Sequence, residues 1–162
     1  MFSVSKFWAT FFYVGLLRPA PGTWGSAAAV VAAWGIVEWR GYTALAALTV
    51  IMFVLGWYVT ALETKGKDDH DPSEIVIDEV VGQWIALLPV AIGISHAGAS
   101  FWTLWPGVVT AFIAFRLFDI WKPGPVDWAD RKEGPLGVML DDVIAGLLAA
   151  VVVALGAWIA HG

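Results

Sequence analysis

Long stretches without charged residues divide this chain into segments that predict membrane-spanning helices. Asp, Glu, Lys and Arg are absent from residues 19–37, 41–62, 80–115 and 143–162. A hydrocarbon layer about 30 Å thick is crossed by roughly 20 apolar residues in a helix, so three of these stretches each fit one span. The stretch 80–115 is too long for one span and predicts a hairpin that turns near residues 95–100.

The beginning of the chain carries a shorter apolar segment, residues 7–17. Its length predicts an interfacial or re-entrant helix rather than a span. The first long segment opens with APGTWGS, where Thr23 or Ser26 is expected to cap the helix. The pattern therefore predicts an all-α, integral membrane helical bundle of about four transmembrane helices plus a short N-terminal helix.

Composition supports the membrane class. The 162 residues are 59% hydrophobic and 14% charged, whereas soluble domains average about a quarter charged. This length suits one membrane-embedded domain over residues 1–162. The net charge of −5 argues against a nucleic-acid partner, and no obligate protein partner is evident. Because the chain has no cysteine, disulfides, thiolate nucleophiles and cysteine-ligated metals are excluded.

The charged residues fall on one side of the predicted membrane. If residues 19–25 lie at one face, the polar segments 63–79 and 116–142 return to that face. Of the nine Lys and Arg residues only Arg40 lies opposite, and of the acidic residues only Glu38 does. Cytoplasmic loops carry the excess of Lys and Arg, so this face is predicted to be cytoplasmic.

Carboxylates at the ends of the apolar stretches are the strongest sign of chemistry. Charge is costly at membrane depth and is usually kept there for function. Asp78 and Glu79 are adjacent where one uncharged stretch begins, and Asp141 and Asp142 repeat this arrangement before another. Divalent cations such as Mg²⁺ would relieve their repulsion and would also bind phosphate oxygens. By contrast, Asp68, Asp69, Asp71 and Glu74 are expected to be solvated and His70 to be an exposed loop residue.

Possible phosphate-binding groups lie on the same face. Arg116, Lys122 and Arg131 are interspersed with the acidic residues. Thr23 and Ser26 follow a Pro-Gly turn at a helix start, where free N–H groups favour anions. Two alternatives remain open: the hydroxyls simply cap a helix, and the three cations neutralise carboxylates as structural ion pairs, as the one-turn spacing of Arg116 and Asp119 would allow.

Three long motifs together resemble the bacterial phosphatidylglycerophosphatase A family. They are PAPGTWGS at 19–26, HDPSEIVIDEVVGQW at 70–84, and FRLFDIWKPGPVDWADR followed by GPLGVMLDDVIAG within 115–146. The resemblance runs through most of the chain. It implies a Mg²⁺-dependent, multi-pass enzyme of the bacterial inner membrane that dephosphorylates phosphatidylglycerophosphate, its membrane phospholipid substrate, to phosphatidylglycerol at the cytoplasmic face.

The resemblance also implies roles for individual residues. The catalytic candidates are Asp78, Glu79, Asp119, Asp130, Asp141 and Asp142. All of these except Asp130 are also candidate metal ligands, and the substrate-binding candidates are Thr23, Ser26, Arg116, Lys122 and Arg131.

Two other classes of function are weaker alternatives. CDP-alcohol phosphotransferases also use Mg²⁺ and acidic residues at a membrane face, but their D-G-x2-A-R-x8-G-x3-D-x3-D pattern does not occur here. A small cation transporter would use carboxylates as an ion site. Its pathway should place a carboxylate near the middle of a span, whereas the acidic residues of this chain cluster at one face.

Overall fold

The chain folds into a helical bundle in the computed structural model, which describes residues 3–67, 69 and 72–161. Its helices are α1 (Val4–Ala9), α2 (Pro21–Thr64), α3 (Ile77–Ala97), α4 (Trp105–Trp121), α5 (Pro125–Asp130) and α6 (Pro135–His161), with 3-10 turns at Val14–Leu16 and Phe101–Leu104. The described residues contain no strand, and four helical segments are long and apolar enough to cross a membrane. The predicted all-α membrane bundle is confirmed.

Helix α2 is bent into a hairpin at Gly41. A straight helix of its 44 residues would be about 66 Å long, roughly twice the thickness of the hydrocarbon layer. Gly41 has φ 77° and ψ 179°, a conformation open essentially to glycine alone. Gly25 in the first arm packs against Val76, and Gly56 in the second packs against Ile77. Both arms therefore reach the start of α3, and they correspond to the two spans predicted before residue 63.

The N-terminal region differs from the single helix predicted over residues 7–17. Helix α1 ends at Ala9, and the following residues Phe12 and Tyr13 have left-handed backbones that cannot continue it. Both rings pack edge-to-face against Phe7. Aromatic packing thus closes this segment into a compact turn, and the predicted helix boundaries are wrong.

The start of α2 also differs from the prediction. The helix begins at Pro21, and its N-cap residue Ala20 makes no side-chain cap hydrogen bond. Proline suits the first helical position because it lacks an N–H group and its φ is already helical. Ser26 lies inside the helix and donates its hydroxyl to the Gly22 carbonyl at 2.9 Å. The prediction that Thr23 or Ser26 caps this helix is therefore wrong.

The later helices follow the predicted order with different ends. The hairpin turn is confirmed, since α3 ends before the left-handed Gly98. Helix α6 begins eight residues before the stretch 143–162, at Pro135. Asp141 and Asp142 consequently lie within the helix, and both of their side chains are buried.

Charge is concentrated where α3 and α6 begin and α4 ends, and we call this the charged end of the bundle. Both arms of α2 also have their polar ends here, as does the short helix α5. Among the described residues, Arg40 and Glu38 are the Lys, Arg, Asp or Glu residues that lie near the opposite end. Helix α3 is the most buried of the four span-length segments, so it forms the centre around which the others pack.

Candidate active site

A cavity of about 290 Å³ opens at the charged end between α2, α3, α4 and α6. It brings together residues that are far apart in sequence, including five carboxylates and two cationic side chains. Its lining residues are Ala20, Pro21, Gly22, Ser73, Ile75, Asp78, Glu79, Arg116, Asp119, Lys122, Asp141 and Asp142. The three polar segments singled out in the sequence therefore meet at one place.

Asp78, Glu79 and Asp142 form the carboxylate cluster at the inner wall of this cavity. One oxygen from each lies within 4.8 Å of the others. Asp78 and Asp142 are buried, with 7% and 2% of their surface exposed. Glu79 Oε2 and Asp142 Oδ2 are buried and have no hydrogen-bond partner among the described residues. Carboxylate oxygens without a hydrogen-bond partner are expensive away from water, which makes the cluster a candidate site for a positively charged group.

Close packing of two helices creates this cluster. Gly82 and Gly146 lie one helical turn beyond Asp78 and Asp142, and each occupies the contact between α3 and α6. A Cβ atom on Gly82 would lie 2.6 Å from the Asp142 carbonyl oxygen and would also overlap the Phe115 ring. Glycine at both positions therefore lets the helices approach closely enough for carboxylates from each to converge.

Arg116 lies opposite the cluster on α4. Its Nη1 donates to Asp119, one turn away on the same helix, and lies 3.9 Å from Glu79 Oε1. The predicted pairing of Arg116 with Asp119 is confirmed. Arg116 Nε is buried and has no hydrogen-bond partner among the described residues, so this side chain keeps a donor that could hold an anion.

Lys122 holds the outer wall of the cavity. It ends α4 in a left-handed conformation, and its Nζ donates to Asp130 and, at 2.9 Å, to Asp141. Burial acts to lower the pKa of Lys122, but these two hydrogen bonds outweigh it and hold the pKa above its ordinary value. Lys122 thus links α5 to α6 through its ion pairs with Asp130 and Asp141.

The start of α2 forms a further part of the cavity wall. Its first intrahelical hydrogen bond runs from the Trp24 N–H to the Ala20 carbonyl. The N–H groups of Gly22 and Thr23 precede that bond, at the positive end of a helix dipole. A side chain at Gly22 would overlap Glu79 and come within 3.1 Å of Arg116. Glycine there keeps the cavity open beside two functional candidates.

The donor set fits a hard divalent cation. Mg²⁺ and Ca²⁺ take oxygen ligands, chiefly carboxylates and water. Glu79 Oε2 and Asp142 Oδ2 supply two such oxygens without protein partners, and Asp78 lies beside them. Arg116 pairs with Asp119 and lies 3.9 Å from Glu79 Oε1, and Lys122 pairs with Asp141, which agrees in part with the alternative of structural ion pairs. Glu79 Oε2 and Asp142 Oδ2 still have no hydrogen-bond partner among the described residues, so these ion pairs do not account for the whole cluster.

Four of the predicted site residues do not line the cavity. Thr23 and Ser26 lie along the first turns of α2, and Ser26 is fully buried. Asp130 touches the site through Lys122, whereas Arg131 is exposed and pairs with Asp127.

The loop before α3 also holds residues of interest. Glu74 was expected to be solvated, but it is half-buried and pairs with Lys6 at 3.2 Å. Predictions for Asp68, His70 and Asp71 concern residues outside the described part of the chain.

Sequence reasoning did not single out Ala20, Ser73 and Ile75, which line the cavity together with Pro21 of the Pro-Gly turn. Their side chains carry no charge, so nothing in their chemistry marks them. The proline at the first position of a helix was the available signal, because it identifies a helix start that faces the other polar segments.

Comparisons with known proteins agree on one family. The family described as Phosphatidylglycerophosphatase A matches residues 7–157. Proteins named phosphatidylglycerophosphatase A from Haemophilus influenzae and Escherichia coli are 37% and 32% identical to this chain. These alignments cover 86% and 84% of this chain, and 80% and 73% of the relatives. A Bacteroides thetaiotaomicron protein provisionally named a phosphatidylinositol-3-phosphatase is 37% identical, over 86% of this chain and 85% of its own. No solved structure matches significantly.

Proposed function

Because the chain belongs to the phosphatidylglycerophosphatase A family, we propose that it hydrolyses the terminal phosphate monoester of phosphatidylglycerophosphate to give phosphatidylglycerol and phosphate. The observation that carries this proposal is the carboxylate cluster beside Arg116 in a cavity at the end of a membrane bundle. An open cavity at that level can accept a phosphorylated headgroup while the acyl chains stay in the bilayer.

We propose Mg²⁺ as the cofactor. Asp78, Glu79 and Asp142 would hold it, with Asp119 and Asp141 close by in the cavity wall. When bound, the ion supplies charge neutralisation at the phosphate and makes a water molecule more acidic. The support for this cofactor is the set of buried carboxylate oxygens without protein partners.

The remaining cavity residues suit recognition of the phosphate. Arg116 has an uncommitted Nε donor in the buried wall, and a guanidinium matches the geometry of phosphate oxygens. The start of α2 adds backbone N–H groups at the position of Gly22, where anions are favoured. Lys122 keeps Asp141 in place and adds positive charge at the outer wall.

The substrate is tested by measuring phosphate release from two lipids. Purified protein in mixed micelles should release phosphate from phosphatidylglycerophosphate with Mg²⁺ and lose this activity in excess chelator. The B. thetaiotaomicron relative makes phosphatidylinositol 3-phosphate the second substrate to compare. Faster release from phosphatidylinositol 3-phosphate would show that the proposed substrate is wrong. Full activity in excess chelator would show that the reaction does not need the proposed metal. A transporter would release no phosphate under any of these conditions.

We further propose that the charged end faces the cytoplasm of a bacterial inner membrane. The support is the Lys and Arg excess at that end, which positive-inside sorting places in the cytoplasm. Cysteines introduced at Lys67 and Lys132 should be protected from an impermeant thiol reagent applied to intact cells, while one at Arg40 should be labelled. Labelling at positions 67 and 132 but not at position 40 would show that the charged end faces the outside of the cell.

A further inference from the structure

Gln83 is a buried polar residue to which the proposed mechanism assigns no role. Its side chain on α3 is fully buried, and neither its amide nitrogen nor its amide oxygen has a hydrogen-bond partner among the described residues. Within a membrane bundle such unsatisfied groups are costly, and an apolar side chain of similar volume would avoid the cost. A polar amide at this position therefore needs an explanation beyond packing.

The position of Gln83 relates it to the carboxylate cluster. It follows Glu79 by four residues, so the two side chains lie on the same face of α3, one turn apart. Glu79 Oε2 is likewise buried without a protein partner. Gln83 does not line the cavity. It therefore lies behind Glu79, deeper in the bundle, where it does not reach a substrate.

The neighbouring arm of α2 encloses this space. Gly22 packs against Glu79, and Trp84 Nε1 donates to the Ala29 carbonyl at 2.9 Å. The fully buried Ser26 lies between these two contacts along the arm. Gln83 directly precedes Trp84 and follows Glu79 by one turn, so it lies at the level of these two contacts, as Ser26 does on α2. Buried waters are held by two to four polar groups, and Glu79, Gln83 and Ser26 are the polar residues available at this level.

We propose that Gln83 is a positioning residue that fixes Glu79 in the carboxylate cluster through an enclosed water molecule. A water can donate to Glu79 Oε2 and accept from Gln83 Nε2, which satisfies groups that the protein itself leaves unpaired. Restraining a metal-ligand carboxylate in this way raises metal affinity, and loss of such a partner commonly costs about 10–100-fold in metal affinity or activity. The inference rests on the proposed function.

The test replaces Gln83 with methionine and measures metal binding directly. Gln83→Met should weaken Mn²⁺ binding to the purified full-length protein, followed by electron paramagnetic resonance, by about 10–100-fold. It should raise the Mg²⁺ concentration needed for half-maximal phosphate release and leave KM for lipid nearly unchanged. Its unfolding temperature without metal should change little, because methionine fills nearly the same buried volume as glutamine.

Leu87→Met is the matched control. Leu87 is fully buried on α3, one turn further from the cluster than Gln83, and its replacement should change neither Mn²⁺ binding nor turnover. Wild-type Mn²⁺ binding in Gln83→Met would overturn the inference. Failure of both Gln83→Met and Gln83→Leu to fold, beside a folded control, would also overturn it, because the amide would then support the fold. Mn²⁺ binding is measured without lipid, so a wrong lipid substrate would leave this result interpretable.

Discussion

The two ends of the bundle hold their charges under different conditions. At the end where α2 bends, Glu38 is exposed and accepts a hydrogen bond from the Phe101 N–H at 2.6 Å, and Arg40 lies over the exposed Trp39 ring. At the charged end, Asp78, Asp141 and Asp142 are buried, and Glu79 Oε2 and Asp142 Oδ2 have no hydrogen-bond partner among the described residues. The charged groups at the end where α2 bends are exposed and have local partners. At the charged end, some carboxylate oxygens are buried without a hydrogen-bond partner.

This difference shows which property marks a site. The charged end also contains ordinary ion pairs, such as exposed Arg131 with Asp127, that resemble the contacts at the opposite end. A site defined only by its concentration of charged residues would therefore include these pairs. The buried oxygens Glu79 Oε2 and Asp142 Oδ2, which have no hydrogen-bond partner among the described residues, distinguish the cluster from these pairs, since such atoms are costly unless something binds them.

The largest effect is expected when the carboxylate cluster loses a charge. Asp142→Asn should lower turnover about a thousandfold, because the amide keeps the size of aspartate but loses the charge that a hard cation requires. Losses of several orders of magnitude are likewise expected at Asp78, Asp119 and Asp141. Phosphate release per folded protein measures the effect.

Asp127→Asn is the control for this prediction. Asp127 lies at the same end, but its pair with Arg131 is exposed and worth at most about 1 kcal/mol. Turnover of this variant should remain near that of the wild type. Near-normal turnover in a folded Asp142→Asn protein would instead make the buried carboxylates structural, and the two ends of the bundle would no longer differ in function.

The second largest effect should come from separating the helices that form the cluster. Gly82→Ala places a methyl group against the Asp142 backbone and the Phe115 ring. Overpacking of this kind costs about 1–3 kcal/mol, and a shift of about 1 Å at a reaction centre can cost about a hundredfold in rate. Turnover and unfolding temperature should both fall.

Gly93→Ala provides the comparison on the same helix. Gly93 lies towards the opposite end, where an added Cβ would meet Leu104 at 3.4 Å, an ordinary contact. Turnover should not change in this variant. Equal losses in the two variants would mean that alanine harms α3 generally and that the close contact at Gly82 has no special role.

The bundle was predictable because the bilayer imposes a simple rule on sequence. Each uncharged stretch of about 20 residues corresponds to a helical arm, and the turn near Gly98 lies where the hairpin was predicted. The start of α6 was not predictable in this way. From the sequence alone, Asp141 and Asp142 are predicted to lie outside the helix, because charge within a membrane helix is costly. Only the packing of α6 against α3 and α4 shows how charged residues can lie within it.

The carboxylates of the site could also be proposed from sequence, but their arrangement could not. Spacing permitted Lys122 to pair with Asp119, whereas the left-handed backbone at the end of α4 turns Lys122 to Asp130 and Asp141. The contact between Gly82 and Gly146 was hidden for a different reason. Glycine is common in membrane helices, so neither residue stands out before the helices are placed together.

A smaller effect on turnover is expected at Lys122. Lys122→Met keeps much of the side-chain volume and removes the hydrogen bonds to Asp130 and Asp141. Turnover should fall about 10- to 30-fold, which corresponds to roughly 1.5–2 kcal/mol, because these charge-assisted hydrogen bonds are partly exposed to solvent. Mn²⁺ binding should persist because the cluster of Asp78, Glu79 and Asp142 is unchanged. Complete loss of Mn²⁺ binding would make Lys122 essential to the metal site itself.

The smallest effect on turnover is expected at the opposite end. Glu38→Ala removes the acceptor for the Phe101 N–H, at the 3-10 turn that connects α3 to α4. Stability should fall by about 1 kcal/mol, the usual net value of a hydrogen bond, and the unfolding temperature in detergent measures this loss. Turnover per folded protein should be unchanged, because no charge of the cavity is altered. A fall in turnover without a matching fall in stability would show that the two ends are coupled through α3 or α4, and the opposite end would then belong to the functional machinery.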